Sequence, residues 1–364
     1  MDKKNTYKIA VIPGDGIGPE IVPAGIMVLN AVAEGLGFQL QYEEFPYGAG
    51  YYKQTGTFMP EEALTELQTF DALYFGAVGL PDVDDTLPAK LFTFKVRTSF
   101  DQYVNYRPAR LLQGVDGPLR NKTPRDIDFV VIRENTEGEF VQSGGIVRPE
   151  FPEGLATDTS IFTRKGIERI AHYSFLLARQ RRKHVTNITK SNTLIHSLAY
   201  WDRIVGQVST AYPDIKYEKM YVDNASANFV LHPERFDVIV TTNFIGDILS
   251  DLGGAITGSL GLGPSGNINP EKKYPSMFEP IHGSAPDIAG QGIANPIGAI
   301  WSGAIMLEHL GRKEATEIIV RAIEMTVVQG VLPVDLGGSA GTSQIADTII
   351  KNLESVMEDN VPNH

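Results

Sequence analysis

Short apolar or alternating runs of strand length take turns with longer amphipathic stretches along most of the chain. Tyr7 to Ile12 reads as a strand, Ile17 to Leu36 as an amphipathic helix and Phe38 to Phe45 as a second strand. Glu61 to Phe70 then reads as a helix and Asp71 to Ala77 as a strand, which completes the α/β rhythm. In the middle, Ile127 to Ile132, His184 to Ile188, Tyr217 to Val222 and Phe236 to Val240 have strand character. A helix is predicted from about Arg164 to Arg182. It places Ile167, Ile170, Ala171, Ser174, Phe175 and Ala178 on one face, a packing face rather than a ligand site. From Ile297 onward the pattern is mostly helical. Two stretches interrupt it: the glycine-rich Gly253 to Gly266, and Gln142 to Pro152, where Ser143-Gly144-Gly145 predicts a hairpin turn.

At 364 residues the chain can bury a large core, most economically as two domains. Its formal charge of -12 repels polyanions, which argues against nucleic acid or an anionic membrane as partner. An anionic substrate must therefore be captured by local Arg and Lys. With 0 cysteines, disulfides, thiolate nucleophiles and Cys-type zinc or iron–sulfur sites are excluded, while hard oxygen-ligand metals stay open. The apolar stretch Ile9 to Ile12 ends at Pro13-Gly14, too short for a secretion signal, and the longest apolar run, Ile297 to Leu307, is too short to span a membrane. A cytoplasmic protein is expected.

Four groups of residues carry candidate chemistry. The run PGDGIGPE, Pro13 to Glu20, is a glycine-rich turn between strand and helix. Pro19 stands where the third glycine of a Rossmann fingerprint belongs, and no acidic residue follows at the Rossmann distance. A plain tight turn and a cofactor-contacting loop remain equally open. In GDILSDLG, Asp247 and Asp251 are four residues apart, on one face of a helix, where like charges repel. A solvated acidic pair is the ordinary reading, but Ile245, Ile248, Leu249 and Leu252 surround them, and a bound cation would convert the repulsion into a site. Arg97, Arg107 and Arg133 each adjoin an apolar segment, where a guanidinium needs a carboxylate partner. Each could be a structural ion pair, but three in one acidic protein suit a dicarboxylate substrate. Lys190, directly after the strand His184 to Ile188, is either an ordinary loop lysine or a base whose proton affinity is depressed by a neighbouring metal and burial.

PGDGIGPE, the Arg97 and Arg107 segment, RENTEGE, TKSN, YVDN, GDILSD and FEPIHGSAPDIAGQGIANP occur in the order found in the β-decarboxylating dehydrogenases, and the chain resembles that family from about Lys8 to Gly311. The family includes isocitrate, 3-isopropylmalate, and tartrate or D-malate dehydrogenases; FDQYVNYRPARL and IANPIGAIWSGA are most similar to the tartrate/D-malate branch. The resemblance implies an α/β, two-domain isopropylmalate/isocitrate dehydrogenase-like fold that is not Rossmann. Residues 1–99 and 253–364 would form the larger domain with the cofactor loops. Residues 100–252 would form the smaller, with the dimer interface and an arm at about 137–152. It further implies a homodimer with composite active sites, the counterparts of Lys190 and Asp223 reaching into the neighbouring subunit's cleft.

By the same resemblance Arg97, Arg107 and Arg133 grip a small dicarboxylate, and Asp223, Asp247 and Asp251 supply oxygens to Mn²⁺ or Mg²⁺. His282, Gly283, Ser284, Ala285 and Asp287 hold the adenosine half of NAD, with Asn295 near the adenine. Asp287 can accept hydrogen bonds from both ribose hydroxyls and would repel a 2′-phosphate, which selects NAD over NADP. Lys190 would take the proton of the substrate hydroxyl, and Asp223 stands beside it in the catalytic set. The reaction implied is oxidation of a 2-hydroxy dicarboxylic acid of the D-malate/tartrate type to a 2-oxo acid, followed by loss of CO₂. Isopropylmalate dehydrogenases usually carry Glu and two Leu at the positions of Lys90, Thr93 and Phe94, and isocitrate dehydrogenases Ser and Asn at Leu91 and Thr93. Neither set is present, which leaves a small group on C3, hydrogen or hydroxyl; Lys90 could still pair with a third carboxylate, and a 3-isopropylmalate or isocitrate-type dehydrogenase is the alternative. One departure bears on chemistry: the tyrosine that closes the RENTEGE segment in the family, the acid for the last protonation, is Phe140 here. That departure motivates an alternative, a catalytically weak ligand-binding or regulatory paralogue. The retained aspartates, arginines and Lys190 argue against it.

Overall fold

The computed structural model describes residues 4–359 and divides into two compact units. Unit 1 comprises 1–102, 110–124 and 254–364; unit 2 comprises 103–109 and 125–253. The segment 110–124, placed with the smaller domain by the sequence boundaries, groups with unit 1 instead. In chain order the strands are β1 (Thr6–Gly14), β2 (Gln39–Glu44), β3 (Ala72–Ala77), β4 (Val104–Arg110), β5 (Asp128–Glu134), β6 (Gly138–Val147), β7 (Leu155–Ile161), β8 (His184–Thr189), β9 (Lys216–Tyr221), β10 (Val238–Thr241), β11 (Pro264–Ile268) and β12 (Ser276–Pro280).

In unit 1 the strand order is β2-β1-β3-β12-β11. β1 pairs in parallel with β2 and β3, β12 in parallel with β3, and β11 antiparallel to β12, so the sheet departs from the all-parallel Rossmann order. β3 is buried along its whole length, as expected of a central parallel strand. The apolar run Ile297–Leu307 lies in the helix Ile297–His309 and is buried on every side, between neighbouring helices and β11 and β12. A helix that is apolar all round sits inside, and this one is the centre of the unit's core. Among the described residues no helix is long and apolar enough to cross a membrane.

In unit 2 the strand order is β4-β5-β10-β8-β9, with β10 parallel to β5 and β8, and β8 parallel to β9. The helix Arg164–Arg179 buries the six-residue face read from its periodicity, and Thr163 caps it by accepting Gly166 N–H at 2.9 Å. It stops three residues short of the sequence expectation. Arg181 and Arg182 turn back to Asp128 and Asp237 at the start of the sheet, contacts a continuing helix would forgo.

Two expectations about breaks are corrected. Ser143, Gly144 and Gly145 are not a turn; they lie inside β6 and pair with Thr159, Asp158 and Thr157 of β7. The reversal comes later, between Val147 and Leu155, where Pro149, Pro152 and Gly154 interrupt strand pairing. The glycine-rich stretch beginning at Gly253 is not all loop either: the helix Asn243–Ile256 runs through Gly253 and Gly254 before the chain enters β11 at Pro264. Gly253 stays helical because its face lies against Ala109, whose Cβ would be 3.1 Å from an added Cβ.

Candidate active site

In unit 2, β4 and β5 deliver Arg107 and Arg133, and the helix Asn243–Ile256 delivers Asp247 and Asp251. Both guanidinium groups are buried. Arg133 donates through Nε to Asn243 Oδ1 at 2.8 Å and through Nη1 to Asp247 Oδ1 in a closer contact. Arg107 Nη1 donates to Ser250 Oγ at 2.8 Å and lies 3.4 Å from Asp251 Oδ1 and 3.6 Å from Asp247 Oδ1. The glycine of GDILSD has a packing reason: a Cβ on Gly246 would fall 2.7 Å from the Cβ of Arg133, so only glycine lets the arginine stem cross the helix. Desolvation raises the proton affinity of Asp251, Arg107 opposes it, and Asp247 adds to the rise. Like-charged carboxylates one helical turn apart are thus held together by two cations, an arrangement that can take up a metal ion or a chelating anion. Ile248, expected to enclose the pair, is exposed.

Lys190 and Asp223 form a second pair in the same unit. Lys190 follows β8, and Asp223 sits in the first turn of the helix Val222–Leu231 rather than at a strand end. Lys190 Nζ donates to Asp223 Oδ1 at 2.6 Å, and this hydrogen bond is the main reason the Asp223 carboxyl lies below its ordinary value. Among the described residues no group of three His, Cys, Asp or Glu stands close enough to hold a metal ion. Asp223 therefore does not join Asp247 and Asp251 as a ready-made triad within one chain.

The three glutamates of RENTEGE are occupied in ways sequence reading missed. Glu134 accepts from Thr136 N at 3.0 Å, from Thr136 Oγ1 at 2.8 Å and from Glu137 N at 2.9 Å. Glu137 accepts from Thr163 N and Oγ1 at the start of the helix Arg164–Arg179. Glu139 accepts from Thr242 Oγ1 at 2.8 Å and Phe244 N at 3.2 Å, at the start of the helix that carries the two aspartates. The next residue, Phe140, places its ring 5.5 Å from the Arg133 guanidinium and edge-on to Phe244. The S/T-x-x-E spacing that signals a cap within a helix gives no sign of these, because Glu137 and Glu139 reach a helix start from another element and Glu134 bonds the turn that follows it.

Burial pushes the Glu134 carboxyl from 4.5 up to about 7, against the hydrogen bonds that favour the ionised form. A group raised on folding stabilises fully below its unfolded value and loses that contribution as pH rises through the folded one. Glu134→Gln is expected to gain stability relative to the wild type between about pH 5 and pH 8, by on the order of 1–3 kcal/mol. Urea unfolding at the two pH values measures it; a difference that does not change with pH would refute the buried acid.

In unit 1, Arg97 lies in the last turn of a helical run, ending at Ser99, whose segment Ala89–Thr93 is wound as a π turn, a distortion common at functional sites. Lys90 and Leu91 are exposed on it, and Thr93 and Phe94 are half-buried. Arg97 Nη2 donates to Glu279 Oε1 at 2.7 Å, and Asn267 Nδ2 donates to the same oxygen at 2.7 Å. Arg97 is thus already paired inside its unit, with a buried carboxylate that the sequence reading did not name.

The PGDGIG turn and the loop from His282 to Asp287 pack on each other. Ile17 N donates to Ser284 O at 2.8 Å, and a Cβ on Gly16, whose φ is +60°, would meet that oxygen at 1.9 Å. Asp15 accepts from the backbone N–H of Ala49, Gly50 and Gly79 at 2.7, 2.8 and 3.0 Å, so its carboxylate ties its own turn to the start of the helix Ala49–Thr55 and to the loop after β3. His282 Nδ1 shares a 2.9 Å hydrogen bond with Gly283 O, and burial lowers the ring's proton affinity. That assigns the proton to Nδ1 and leaves Nε2, which is buried and has no partner, as an acceptor. A hydroxyl or amino donor of a nucleotide would satisfy it. Asp287 and Gly283 are exposed, Ser284 and Ala285 half-buried. Asn295 is more committed than expected: Oδ1 accepts Ile297 N–H at 3.0 Å and Nδ2 donates to Asp335 Oδ2 at 3.0 Å. Asp335, which also accepts from Ser259, is a partner that sequence reading missed.

A family model described as isocitrate/isopropylmalate dehydrogenase matches residues 8–349. The chain belongs to the isocitrate/isopropylmalate dehydrogenase family. This dehydrogenase is 49% identical over 354 residues to the D-malate dehydrogenase [decarboxylating] of Escherichia coli (strain K12), covering 95% of this chain and 98% of that one. It is 47% identical over 358 residues to the tartrate dehydrogenase/decarboxylase of Pseudomonas putida, covering 96% and 98%. Among solved structures it is similar to the isocitrate dehydrogenase from Methylococcus capsulatus, with a TM-score of 0.87 at 36% identity, covering 95% of this chain and 99% of that one. The expected non-Rossmann α/β fold of this family is borne out.

Proposed function

We propose that this dehydrogenase oxidises and decarboxylates a small 2-hydroxy dicarboxylate of the D-malate or tartrate type, using NAD and Mn²⁺ or Mg²⁺. The observation that carries the reading is the meeting of buried Arg107 and Arg133 with Asp247 and Asp251 on one helix face. The names of the relatives at 47–49% identity support the decarboxylation.

The donor set suits a hard divalent ion: the available ligands are carboxylate oxygens, and the chain has 0 cysteines. Asp247 and Asp251 would hold it, with Asp223 of a second subunit as the third carboxylate. Such an ion lowers the proton affinity of a substrate hydroxyl and draws electron density from the adjacent carbonyl. Arg107 and Arg133 orient the substrate carboxylates by charge-assisted, fork-shaped hydrogen bonding, and Arg97 keeps that role on the family resemblance. Lys190, held by Asp223, would in its neutral form accept the hydroxyl proton, and the nicotinamide of a bound NAD would supply the hydride acceptor. A homodimer agrees with the exposed apolar side chains of Leu194, Ile195, Leu231, Phe244 and Ile248, and of Ile146, Val147, Leu155 and Ile161 on the β6–β7 arm.

For the cofactor, the buried acceptor at His282 Nε2 and the exposed carboxylate of Asp287 suit the adenosine half of NAD. A 2′-phosphate beside Asp287 meets like charge, so NAD is expected to be preferred over NADP by about 10²-fold or more in kcat/KM. Equal specificity constants for the two cofactors would show that the loop is misassigned. The reading as a whole is tested by initial rates of NADH formation with D-malate, tartrate, 3-isopropylmalate and isocitrate, each with Mn²⁺ and with excess chelator. D-malate or tartrate should lead and chelator should stop the reaction. Preference for a bulky C3 group overturns the substrate class, and undiminished turnover in chelator overturns the metal.

A further inference from the structure

Glu139 stands apart from the other glutamates of its motif by what it touches. Its two carboxylate oxygens straddle one residue of the aspartate helix: Oε1 accepts from Thr242 Oγ1 at 2.8 Å and Oε2 from Phe244 N at 3.2 Å. The residue between them, Asn243, is buried, and its Oδ1 accepts from Arg133 Nε at 2.8 Å. Arg133 in turn reaches Asp247, one turn further along the same helix. A line of contacts therefore runs from Glu139 through the first residues of the helix to Asn243, then to the guanidinium and the first aspartate. A negative charge at this end of the helix also faces its N–H groups and the positive pole of its dipole, which fixes where the helix begins.

We propose that Glu139 is a positioning residue that sets the register between Arg133 and Asp247, and through it the affinity for the divalent ion and the dicarboxylate. The proposal rests on the reading of Asp247 as a metal ligand. Glu139 touches neither substrate nor ion. A helix start freed of this clamp can shift by a fraction of an ångström, and ligand geometry is sensitive to such a shift because partners behind metal ligands commonly matter by 10- to 100-fold in affinity. Nucleotide binding should be indifferent, since its loops are built in unit 1.

Mn²⁺ binding, read from the electron paramagnetic resonance signal of the free ion in the presence of D-malate, tests this without turnover. Glu139→Ala is expected to weaken Mn²⁺ binding by about 10-fold or more, and Glu139→Gln, which keeps an acceptor for one donor, by less than about 5-fold. Both should raise the KM for D-malate more than they lower kcat and leave the Kd for NAD within about 2-fold, a split that general loss of stability would not produce. Should Glu139→Ala fail to fold, Thr242→Val removes one arm of the clamp and should weaken Mn²⁺ by about 3-fold. Asp247→Asn serves as the control. If it abolishes Mn²⁺ binding while Glu139→Ala, or Thr242→Val in its place, binds as tightly as the wild type, the positioning role is overturned and the metal assignment stands. If the wild type itself binds no Mn²⁺, or Asp247→Asn binds as well as the wild type, the metal assignment falls and the positioning role with it.

Discussion

Asp247→Asn is expected to cut Mn²⁺-dependent turnover by about 10³-fold, because a bound divalent ion contributes several kcal/mol and each 1.36 kcal/mol is tenfold in rate. The substitution keeps size and one oxygen but removes the charge that a hard cation requires. The fold should survive it. Buried Arg133 loses a carboxylate partner, which costs some stability, but it keeps Asn243 Oδ1 at 2.8 Å, and the substituted amide still offers it an oxygen. NADH production at saturating D-malate and Mn²⁺, with a thermal unfolding curve beside it, measures both halves. Turnover within tenfold of the wild type would remove Asp247 from the machinery, and a collapsed unfolding midpoint would mark it as structural.

Phe140→Tyr is expected to raise steady-state turnover while leaving the single-turnover burst of NADH unchanged. Hydride transfer needs the substrate carboxylates held and the hydroxyl deprotonated, and Phe140 does neither. Its ring lies 5.5 Å from the Arg133 guanidinium, beside the group assigned to hold the substrate. A phenol there would bring a proton donor next to the carbon left by CO₂. General acids contribute about 10²- to 10⁴-fold, which bounds the gain; a surrogate acid that already recovers part of it makes the gain smaller. Stopped-flow absorbance of NADH separates the two phases. If both phases are unaltered, protonation is not limiting and the missing hydroxyl has no kinetic consequence.

What the sequence disclosed followed from how local each signal is. Periodicity located the helix Arg164–Arg179 and its buried face, because both depend on residues three and four apart. The four-residue spacing of Asp247 and Asp251 likewise survived, since a helix turns spacing into a shared face. Register across strands is not local. Ser143-Gly144-Gly145 looked like a turn because nothing in the segment shows that Thr157, Asp158 and Thr159 pair with it. The same limit hid Glu279 behind Arg97, Asp335 behind Asn295 and Glu139 behind the aspartate helix. Each is a carboxylate that meets its partner from 40 to 182 positions away. Buried cations can be recognised in a sequence, but their counter-charges can be identified only in the fold.

The strand order of unit 1 has a consequence for synthesis of the chain. β12 lies between β3 and β11, so the sheet begun by the first residues cannot be completed until Pro280 has left the ribosome. Unit 2 has all of its strands by Thr241 and ends at 253, which lets the inserted unit close first. The βαβ portion β1 to β3, with β3 exposing an edge later covered by β12, must therefore wait from Ala77 until Pro280 has been made. During that interval the emerging polypeptide exposes the edge of a strand that is buried along its whole length in the finished fold, and chaperone engagement should concentrate there.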